Sequence, residues 1–365
     1  MPTNGGVWHK KGDSSLLTTV EQTRLRVSKS TEAKRKSQFG QFLTPARTAA
    51  FMASLFPVVE GSCHLLDAGA GIGSLSAAFL ERWISGDFHF RRIELDVFEI
   101  DDSLRPYLTQ TLAEYGNNPD FSLTIRKTDF IHVAVDCLSG GLFAVPLPKY
   151  THAILNPPYK KINSNSPHRL SLRRAGIETV NLYSAFVALS VALAAPGGQV
   201  VAIIPRSFCN GPYYRPFREF IFERAAIQHM HLFESRSKAF KDDAVLQENI
   251  IIRLERNGQQ GPVAVSTSTD DTFTDLATHE YPFDQIVYPD DSERFIHVPT
   301  SSKQNIEISS AINCTLVDLG LIVSTGPVVD FRVKPNFAIC LRRVPFRCYT
   351  PATLAVAAQY GLLQE

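Results

Sequence analysis

The sequence predicts an α/β protein with a seven-stranded, mostly parallel sheet whose last strand is antiparallel. From Cys63 onward, short apolar segments that suit buried strands alternate with amphipathic segments of helical period. This alternation is typical of a parallel sheet covered by helices on both faces. The segments "IQHMHLFES" and "VLQENIIIRLER" are joined by a charged loop too short for a crossover helix. They should therefore pair antiparallel at the sheet edge.

The elements follow in chain order. Strands are predicted at about 63–67, 94–100, 122–128, 151–155, 199–205, 228–234 and 247–254, and helices at about 45–56, 73–84, 103–116, 182–194 and 215–225. Before them lies a polar arm, flexible or helical rather than part of the core, and after residue 257 the sequence becomes turn-rich and loses helical periodicity. The predicted organisation is an N-terminal arm (1–37), a catalytic domain (38–257) and a small C-terminal region (258–365).

Composition excludes several classes of protein. The 365 residues include 37 basic and 36 acidic side chains, so the net charge neither indicates nor excludes nucleic-acid binding, which local patches could still provide. The six cysteines form no C-x-x-C pair and have no histidine at ligand spacing, so neither a metal site nor a disulfide framework is predicted. No apolar run reaches the ~20 residues that span a bilayer, and the N-terminus has no signal-peptide pattern. A cytoplasmic protein without membrane contact is expected.

The first chemical motif is "LLDAGAGIGSLSAAFL", residues 65–80. A strand delivers Asp67 into a turn containing Gly69, Gly71 and Gly73, which opens a helix. Glycines let backbone N–H groups approach a ligand at a helix N-terminus. A dinucleotide fingerprint would need glycine at Ser74, so the spacing favours an adenosyl ligand over NAD, with a purely structural turn as the alternative.

Acidic residues also end the next two strands. Glu99 closes the second strand, where the ribose diol of a nucleotide would lie. Asp129 follows the third strand and could accept from an adenine amine, while Phe130 could cover the ring. An Asp at this place is often only a helix cap, and that alternative stays open.

The fourth strand ends in Asn156, Pro157, Pro158 and Tyr159, beside the same cleft. A nitrogen conjugated to a π system is a poor nucleophile until acceptors for its hydrogens draw its lone pair out of conjugation. The Asn156 side chain and the Pro157 carbonyl offer two such acceptors, and Tyr159 can stack on a planar substrate. A turn that merely stops a strand would explain the prolines but not the flanking Asn and Tyr. These four residues are the predicted catalytic set.

The sequence resembles the gamma class of adenine-N6 DNA methyltransferases of type II restriction-modification systems. The resemblance lies in the motifs and in their order, which is "QFGQFLTPARTAAFMASLF", "DAGAGIGSL", "VFEID", "KTDF" and "ILNPPY". The resemblance covers about residues 38–255. It implies a Rossmann-like class I methyltransferase fold and the cofactor S-adenosyl-L-methionine (S-adenosylmethionine). It also implies methyl transfer to the N6 amine of an adenine flipped out of double-stranded DNA. A cognate restriction endonuclease would act on the same DNA site but need not bind the methyltransferase.

The resemblance also assigns cofactor contacts. Gly40, Phe42, Thr44 and Pro45 would close over the methionine half, with Thr44 as helix N-cap and Pro45 at the first helical position. Asp67, Gly69 and Gly71 would line the methionine end, Glu99 the ribose, and Asp129 with Phe130 the adenine. The helix that starts at Asn181, Leu182 and Tyr183 would pack behind the cofactor and target pockets.

DNA contacts are predicted from a basic loop after the catalytic turn and from "NGPYYRPFREF". The candidates are Lys160, Lys161, Arg169, Arg173, Arg174, Tyr213 and Arg215. A solvated loop and core packing are the respective alternatives.

The C-terminal region departs from the family pattern. "LGLIVSTGPVVDFRVK" resembles the start of a target-recognition domain, but the sequence after residue 334 does not continue it. The hypothesis is a truncated or frame-shifted member with an intact methyl-transfer domain and a partial target-recognition region. Alternative functions are an RNA-adenine or protein-glutamine N-methyltransferase, or a catalytically impaired DNA-binding fragment of a restriction-modification protein.

Overall fold

The computed structural model describes residues 15–30, 42–141, 144–234 and 248–299. The rest of the N-terminal arm, Gly40 and the C-terminal segment from residue 300 lie outside these residues. Predictions made for those segments stay predictions.

The described residues form one nine-stranded sheet with the strand order β3-β2-β1-β4-β5-β7-β6-β8-β9. The strands are β1 (Glu60–Ala68), β2 (His89–Phe98), β3 (Phe121–Arg126), β4 (Tyr150–Leu155), β5 (Ala194–Pro205), β6 (Ala225–Phe233), β7 (Asn249–Arg256), β8 (Val263–Ser268) and β9 (Ala277–Tyr281). Strands β1 to β5 pair in parallel, and β7 lies antiparallel between β5 and β6. The predicted antiparallel seventh strand is confirmed.

Two further strands extend this sheet beyond residue 257. Strand β8 pairs in parallel with β6, and β9 pairs antiparallel with β8. The prediction that the reversed pair lies at the sheet edge is therefore wrong, and the sheet does not stop at the predicted domain boundary. The residues of β9 are mostly exposed, so the strand carries little of the apolar signal that marks buried strands.

The described helices are α1 (Ser15–Ser30), α2 (Ala46–Ser54), α3 (Ser74–Ile84), α4 (Arg105–Ala113), α5 (Phe130–Leu138), α6 (Pro167–Arg174), α7 (Leu182–Leu193), α8 (Arg215–Arg224) and the short α9 (Phe283–Ile286). Short 3₁₀ turns cover Arg206–Phe208 and Pro212–Tyr214. Helices α5 and α6 were not predicted. Among the described residues, no helix is long and apolar enough to cross a membrane.

Both faces of the central strands are buried. Leu65 of β1 belongs to an apolar cluster with α2, α3 and α4, whereas its neighbour Leu66 belongs to a second cluster with α5, α7 and α8. Successive side chains of a strand point to opposite faces, so covering both faces gives the near-continuous apolar runs seen in the sequence.

Helix α1 belongs to the first of these clusters, although it lies in the predicted polar arm. Val20 and Val27 are 6% and 3% exposed and pack there. The expectation that the arm stays out of the core is wrong for this helix. Helix α1 has few apolar residues among many polar ones, so the sequence did not indicate that Val20 and Val27 are buried.

Candidate active site

The predicted site residues follow the ends of neighbouring parallel strands. Asp67 is near the end of β1, Glu99 directly follows β2, and Asn156 directly follows β4. Because β1 lies between β2 and β4, these three residues come to one edge of the sheet. That edge is where doubly wound sheets bind ligands.

The turn after β1 requires its glycines. Gly69, Gly71 and Gly73 have φ values of 81°, 58° and 87°, in the left-handed region that other residues rarely adopt. The N–H groups of Gly69 and Ala70 donate to the carbonyl of Phe98 at 2.9 and 3.0 Å, which ties the turn to β2. A Cβ added at Gly71 would lie 3.1 Å from Leu43 Cδ2, so the turn closely approaches the segment before α2.

Asp67 is a fully buried carboxyl group at this turn. Its Oδ2 accepts from Ser76 Oγ at 2.6 Å, whereas its Oδ1 is buried and has no hydrogen-bond partner among the described residues. Burial raises the pKa of Asp67 to about 7, although the Ser76 hydrogen bonds oppose the rise. A ligand that donates a hydrogen bond, above all a cationic one, would satisfy the free oxygen.

Glu99 faces the same turn. Its Oε2 accepts from the N–H of Gly71 at 2.8 Å and its Oε1 from the N–H of Asp101 at 2.7 Å. The side chain is 2% exposed, and burial raises the pKa of Glu99 to about 7. Glu99 and Asp67 thus place two carboxyl groups against one glycine turn.

The Asn156 side chain is held by a distant segment. Its Nδ2 donates to the carbonyl of Phe42 at 2.9 Å and to Thr44 Oγ1 at 3.0 Å, and its Oδ1 accepts from the Tyr159 hydroxyl at 3.0 Å. The Phe42 and Tyr159 rings lie 5.5 Å apart between centroids. The structure thus brings together the predicted catalytic turn and the predicted closing segment.

The predicted cap of the following helix is wrong by one residue. Helix α2 begins at Ala46, and Pro45 is its N-cap with φ −59° and ψ 146°. Pro45 has no side-chain acceptor for the first N–H groups of the helix, and the N–H of Ala46 donates to Glu21 Oε2 at 2.9 Å. Thr44 contacts Asn156 rather than the helix.

Asp129 caps helix α5. Its Oδ1 accepts from the N–H of Ile131 at 2.8 Å, and its Oδ2 lies 2.8 Å from His168 Nε2. Burial opposes ionisation of Asp129, but the hydrogen bond and charge of His168 outweigh it and hold the pKa of Asp129 below its ordinary value. The hydrogen bond to Asp129 also raises the pKa of His168. Asp129 is therefore a helix cap, which was the alternative left open by the sequence. Its contact with an adenine amine stays a prediction.

Two further features adjoin Asp129. Phe130 is 2% exposed and packs edge-on against Phe98 at 5.0 Å, so it is a core residue here and its contact with an adenine ring also stays a prediction. Asp129, His132 and His168 have side-chain ligand atoms within 4.8 Å of one another. The sequence did not predict this group, because His168 comes from α6, a different helix.

Comparison with known proteins identifies the family. Residues 106–240 match the family model described as Eco57I restriction-modification methylase. The chain is 51% identical over 336 residues to the type II methyltransferase M.BsuBI of Bacillus subtilis, an alignment that covers 91% of this chain and 66% of that relative. The chain belongs to the restriction-modification methyltransferases. A second member, M.PstI of Providencia stuartii, is 39% identical over 336 residues, with 89% of this chain and 65% of the relative covered.

The chain spans about two thirds of the length of these two relatives, 66% and 65%. The fold of this restriction-modification methyltransferase is shared more widely. A solved Listeria monocytogenes protein described as a class I S-adenosylmethionine-dependent methyltransferase superposes with a TM-score of 0.52 at 14% identity, over 70% of this chain and 73% of the other. The predicted Rossmann-like class I methyltransferase fold is confirmed, with two strands more than expected.

The predicted basic loop of this family member contains helix α6. Ser166 caps it by accepting from the N–H of Arg169. The arginines carry ion pairs: Arg169 and Arg173 both reach Glu178, the latter at 2.9 Å. Arg174 pairs with Asp136 at 3.2 Å. These pairs are partly exposed, and phosphate binding by the arginines stays a prediction.

The other predicted DNA-binding residues are on the surface. Lys160 and Lys161 are exposed and directly follow the predicted catalytic turn. Tyr213 is 78% exposed and lies in the 3₁₀ turn before α8. Arg215 begins α8 and pairs with Glu219 at 2.9 Å. Their DNA contacts stay predictions.

Tyr159 contacts a further aromatic residue, Tyr183, which in turn contacts Tyr214. The Tyr183 ring lies 6.3 Å from that of Tyr159 and 5.7 Å from that of Tyr214. The Tyr214 hydroxyl accepts from Asn181 Nδ2, and Asn181 Oδ1 is buried without a partner among the described residues. The expectation that the helix starting at Asn181, Leu182 and Tyr183 packs behind the cofactor and target pockets stays a prediction.

Glu21 and Ser76 were missed by the sequence reasoning. Ser76 lies in the first turn of α3, where a hydroxyl beside the predicted Asp67 could have been noticed. Glu21 lies 25 residues before Ala46, and no local pattern connects the two.

Proposed function

We propose that this protein transfers a methyl group from S-adenosylmethionine to the N6 amine of an adenine flipped out of double-stranded DNA, as the modification enzyme of a restriction-modification system. The fixed amide of Asn156 carries the proposal. Its nitrogen is held by two acceptors, Phe42 O and Thr44 Oγ1, so its oxygen is kept as an acceptor. A carbonyl oxygen has two lone pairs, and the Tyr159 hydroxyl uses one.

The residues around the glycine turn fit the cofactor. When bound, S-adenosylmethionine supplies an electrophilic methyl group on a sulfonium. Asp67 offers an unpartnered buried oxygen to a donor on the methionine end. The positive φ values of Gly69, Gly71 and Gly73 disfavour any side chain there, so a ligand can closely approach the backbone of the turn. Glu99 would hold the ribose hydroxyls.

The remaining cofactor contacts follow from the same arrangement. Phe42, Thr44 and Pro45 would cover the methionine half, because Leu43 between them already approaches Gly71. Asp129 would share its Oδ2 between His168 and the adenine amine, and Phe130 would support the adenine pocket from the core.

The catalytic turn would prepare the target amine. Asn156 Oδ1 and the Pro157 carbonyl would accept its two hydrogens, which draws the nitrogen lone pair out of conjugation and aims it at the methyl group. Pro157 brings no competing N–H group. The Tyr159 ring would stack on the flipped base, whose extrusion costs roughly a few kcal/mol.

Double-stranded DNA would be the partner. Lys160 and Lys161 directly follow the catalytic turn, and the α6 arginines lie in the same segment, so phosphates around a flipped nucleotide would meet positive charge there. A cognate endonuclease would act on the same site without needing to bind this protein. Similarity to type II methyltransferases over 91% of the chain favours DNA over RNA or protein as substrate.

The test is radiolabelled methyl transfer from S-adenosylmethionine to unmethylated duplex DNA, compared with RNA and protein, for the wild type and Asn156→Ala. The expected result is label in DNA, recovered as N6-methyladenine, and its loss in the variant. Label in RNA or protein alone would refute the substrate class. Equal transfer by Asn156→Ala would refute the role of the amide.

A further inference from the structure

The N-terminus of helix α2 is capped from another helix. The first N–H groups of a helix have no partner within it. Pro45, the N-cap, makes no side-chain hydrogen bond. The N–H of Ala46 donates to Glu21 Oε2 of α1 at 2.9 Å. The Glu21 carboxylate also suits the positive end of the α2 dipole.

The Glu21 carboxylate is itself fixed. Arg24, one turn along α1, donates from Nε to both carboxylate oxygens at 3.1 and 3.0 Å and from Nη2 to Oε1 at 2.7 Å. Arg24 is only 3% exposed and Glu21 is 30% exposed, so water reaches this pair only from the Glu21 side. A planar guanidinium that binds both oxygens sets the orientation of the carboxylate.

The residues just before Ala46 are those that hold the catalytic amide. Phe42 O and Thr44 Oγ1 accept from Asn156 Nδ2, and only Pro45, whose φ is fixed by its ring, separates Thr44 from Ala46. A shift of Ala46 would therefore move both acceptors. No other capping side chain bonds the N–H of Ala46 among the described residues.

We propose that Glu21 is a positioning residue for methyl transfer. By fixing the N-terminus of α2, it keeps Thr44 and Phe42 where they orient the Asn156 amide. The inference rests on the proposed role of Asn156, and it adds a residue of α1 that touches neither substrate nor cofactor.

The test compares Glu21→Ala, which removes the acceptor, with Glu21→Gln, which keeps one acceptor oxygen on the same skeleton. Glu223→Ala, at an exposed ion pair with Arg224, is the matched control. Hydrogen exchange is measured in the cofactor-free protein for a peptide covering 42–50, with the central strand β5 as internal reference. Steady-state methyl transfer gives kcat and the KM for S-adenosylmethionine.

In Glu21→Ala we expect exchange at the start of α2 to rise at least about fivefold while β5 stays protected. We expect kcat to fall about tenfold, because the amide loses its orientation. Glu21→Gln should stay within about threefold of the wild type in both exchange and kcat. Glu223→Ala should give the same exchange and the same kcat as the wild type.

Unchanged exchange in Glu21→Ala would overturn the proposal, as would raised exchange with an unaltered kcat. Exchange that rises in Glu21→Gln as much as in Glu21→Ala would overturn the hydrogen bond to Ala46 as the contact that fixes α2, because Gln keeps an acceptor for it. A wild type that transfers no methyl group to DNA would overturn the proposed function instead. The exchange comparison would still decide whether Glu21 fixes the segment.

Discussion

Asn156 Nδ2 donates to Thr44 Oγ1 at 3.0 Å, although 112 residues separate the two. Thr44 is 4% exposed, so water hardly competes for this hydrogen bond. The contact holds the nitrogen end of the amide and leaves Oδ1 as an acceptor. The orientation of the Asn156 amide therefore depends on the segment before α2.

Replacing Thr44 with valine should reduce methyl transfer. Thr44→Val keeps the shape but removes one of two acceptors, so we expect kcat to fall about fivefold to tenfold, equivalent to about 1 kcal/mol. Thr48→Val is the control, because the Thr48 hydroxyl is buried without a partner among the described residues. Equal kcat values for the two variants would contradict the role of the Thr44 contact.

Alanine at Gly71 should weaken cofactor binding. Gly71 has φ 58°, and a Cβ there would lie 3.1 Å from Leu43 Cδ2. Gly86→Ala is the control, because Gly86 has φ 81° but open space around it. Both variants should lose about 1 kcal/mol of unfolding free energy, measured in urea. Only Gly71→Ala should also bind S-adenosylmethionine more weakly by calorimetry, and equal binding by both would exclude an effect of crowding.

The stability of the cofactor-free protein should depend on the protonation of Asp67. Burial raises the pKa of Asp67 from 3.8 to about 7, so the folded state binds a proton more tightly than the unfolded state. The stabilising contribution is full below about pH 4 and is lost as the pH rises through about 7. The stability contribution of Glu99 should change with pH in the same direction, because its pKa also rises to about 7.

The measurement is the unfolding free energy in urea at about pH 5 and about pH 7.5. We expect the wild type to lose stability over this interval and Asp67→Asn to lose less. Asp102→Asn serves as the control, because the Asp102 side chain is 84% exposed. A pH dependence in Asp67→Asn identical to that of the wild type would disprove the assignment.

The buried guanidinium of Arg218 should be needed for stability. It is 0% exposed and donates to the carbonyls of Phe208, Gly211 and Glu293 at 2.8, 2.8 and 2.7 Å. Arg218→Met would leave these carbonyls without their donor, so we expect a loss of about 3 kcal/mol in unfolding free energy. Arg92→Met, at a half-exposed arginine of β2, should change it by less than about 0.5 kcal/mol. Equal losses would show that burial of Arg218 is unimportant.

Much of the candidate site could be predicted, because its residues lie at or just after the carboxyl ends of parallel strands. The apolar segments that become β1, β2 and β4 are local features, and parallel strands align their carboxyl ends. Asp67, Glu99 and Asn156 therefore reach one edge whatever the details of packing. Strand β9 and helix α6 could not be predicted in the same way, because their residues are mostly polar and few of them are buried.

The sequence by itself determined the first seven strands, the glycine turn and the residues of the predicted catalytic turn, because each depends on a short run of neighbouring residues. Only the tertiary structure decided what holds those residues in place. Thr44 with Asn156 and Glu21 with Ala46 join separate elements. Such contacts depend on how helices α1 and α2 pack, and no local periodicity in the chain encodes that packing.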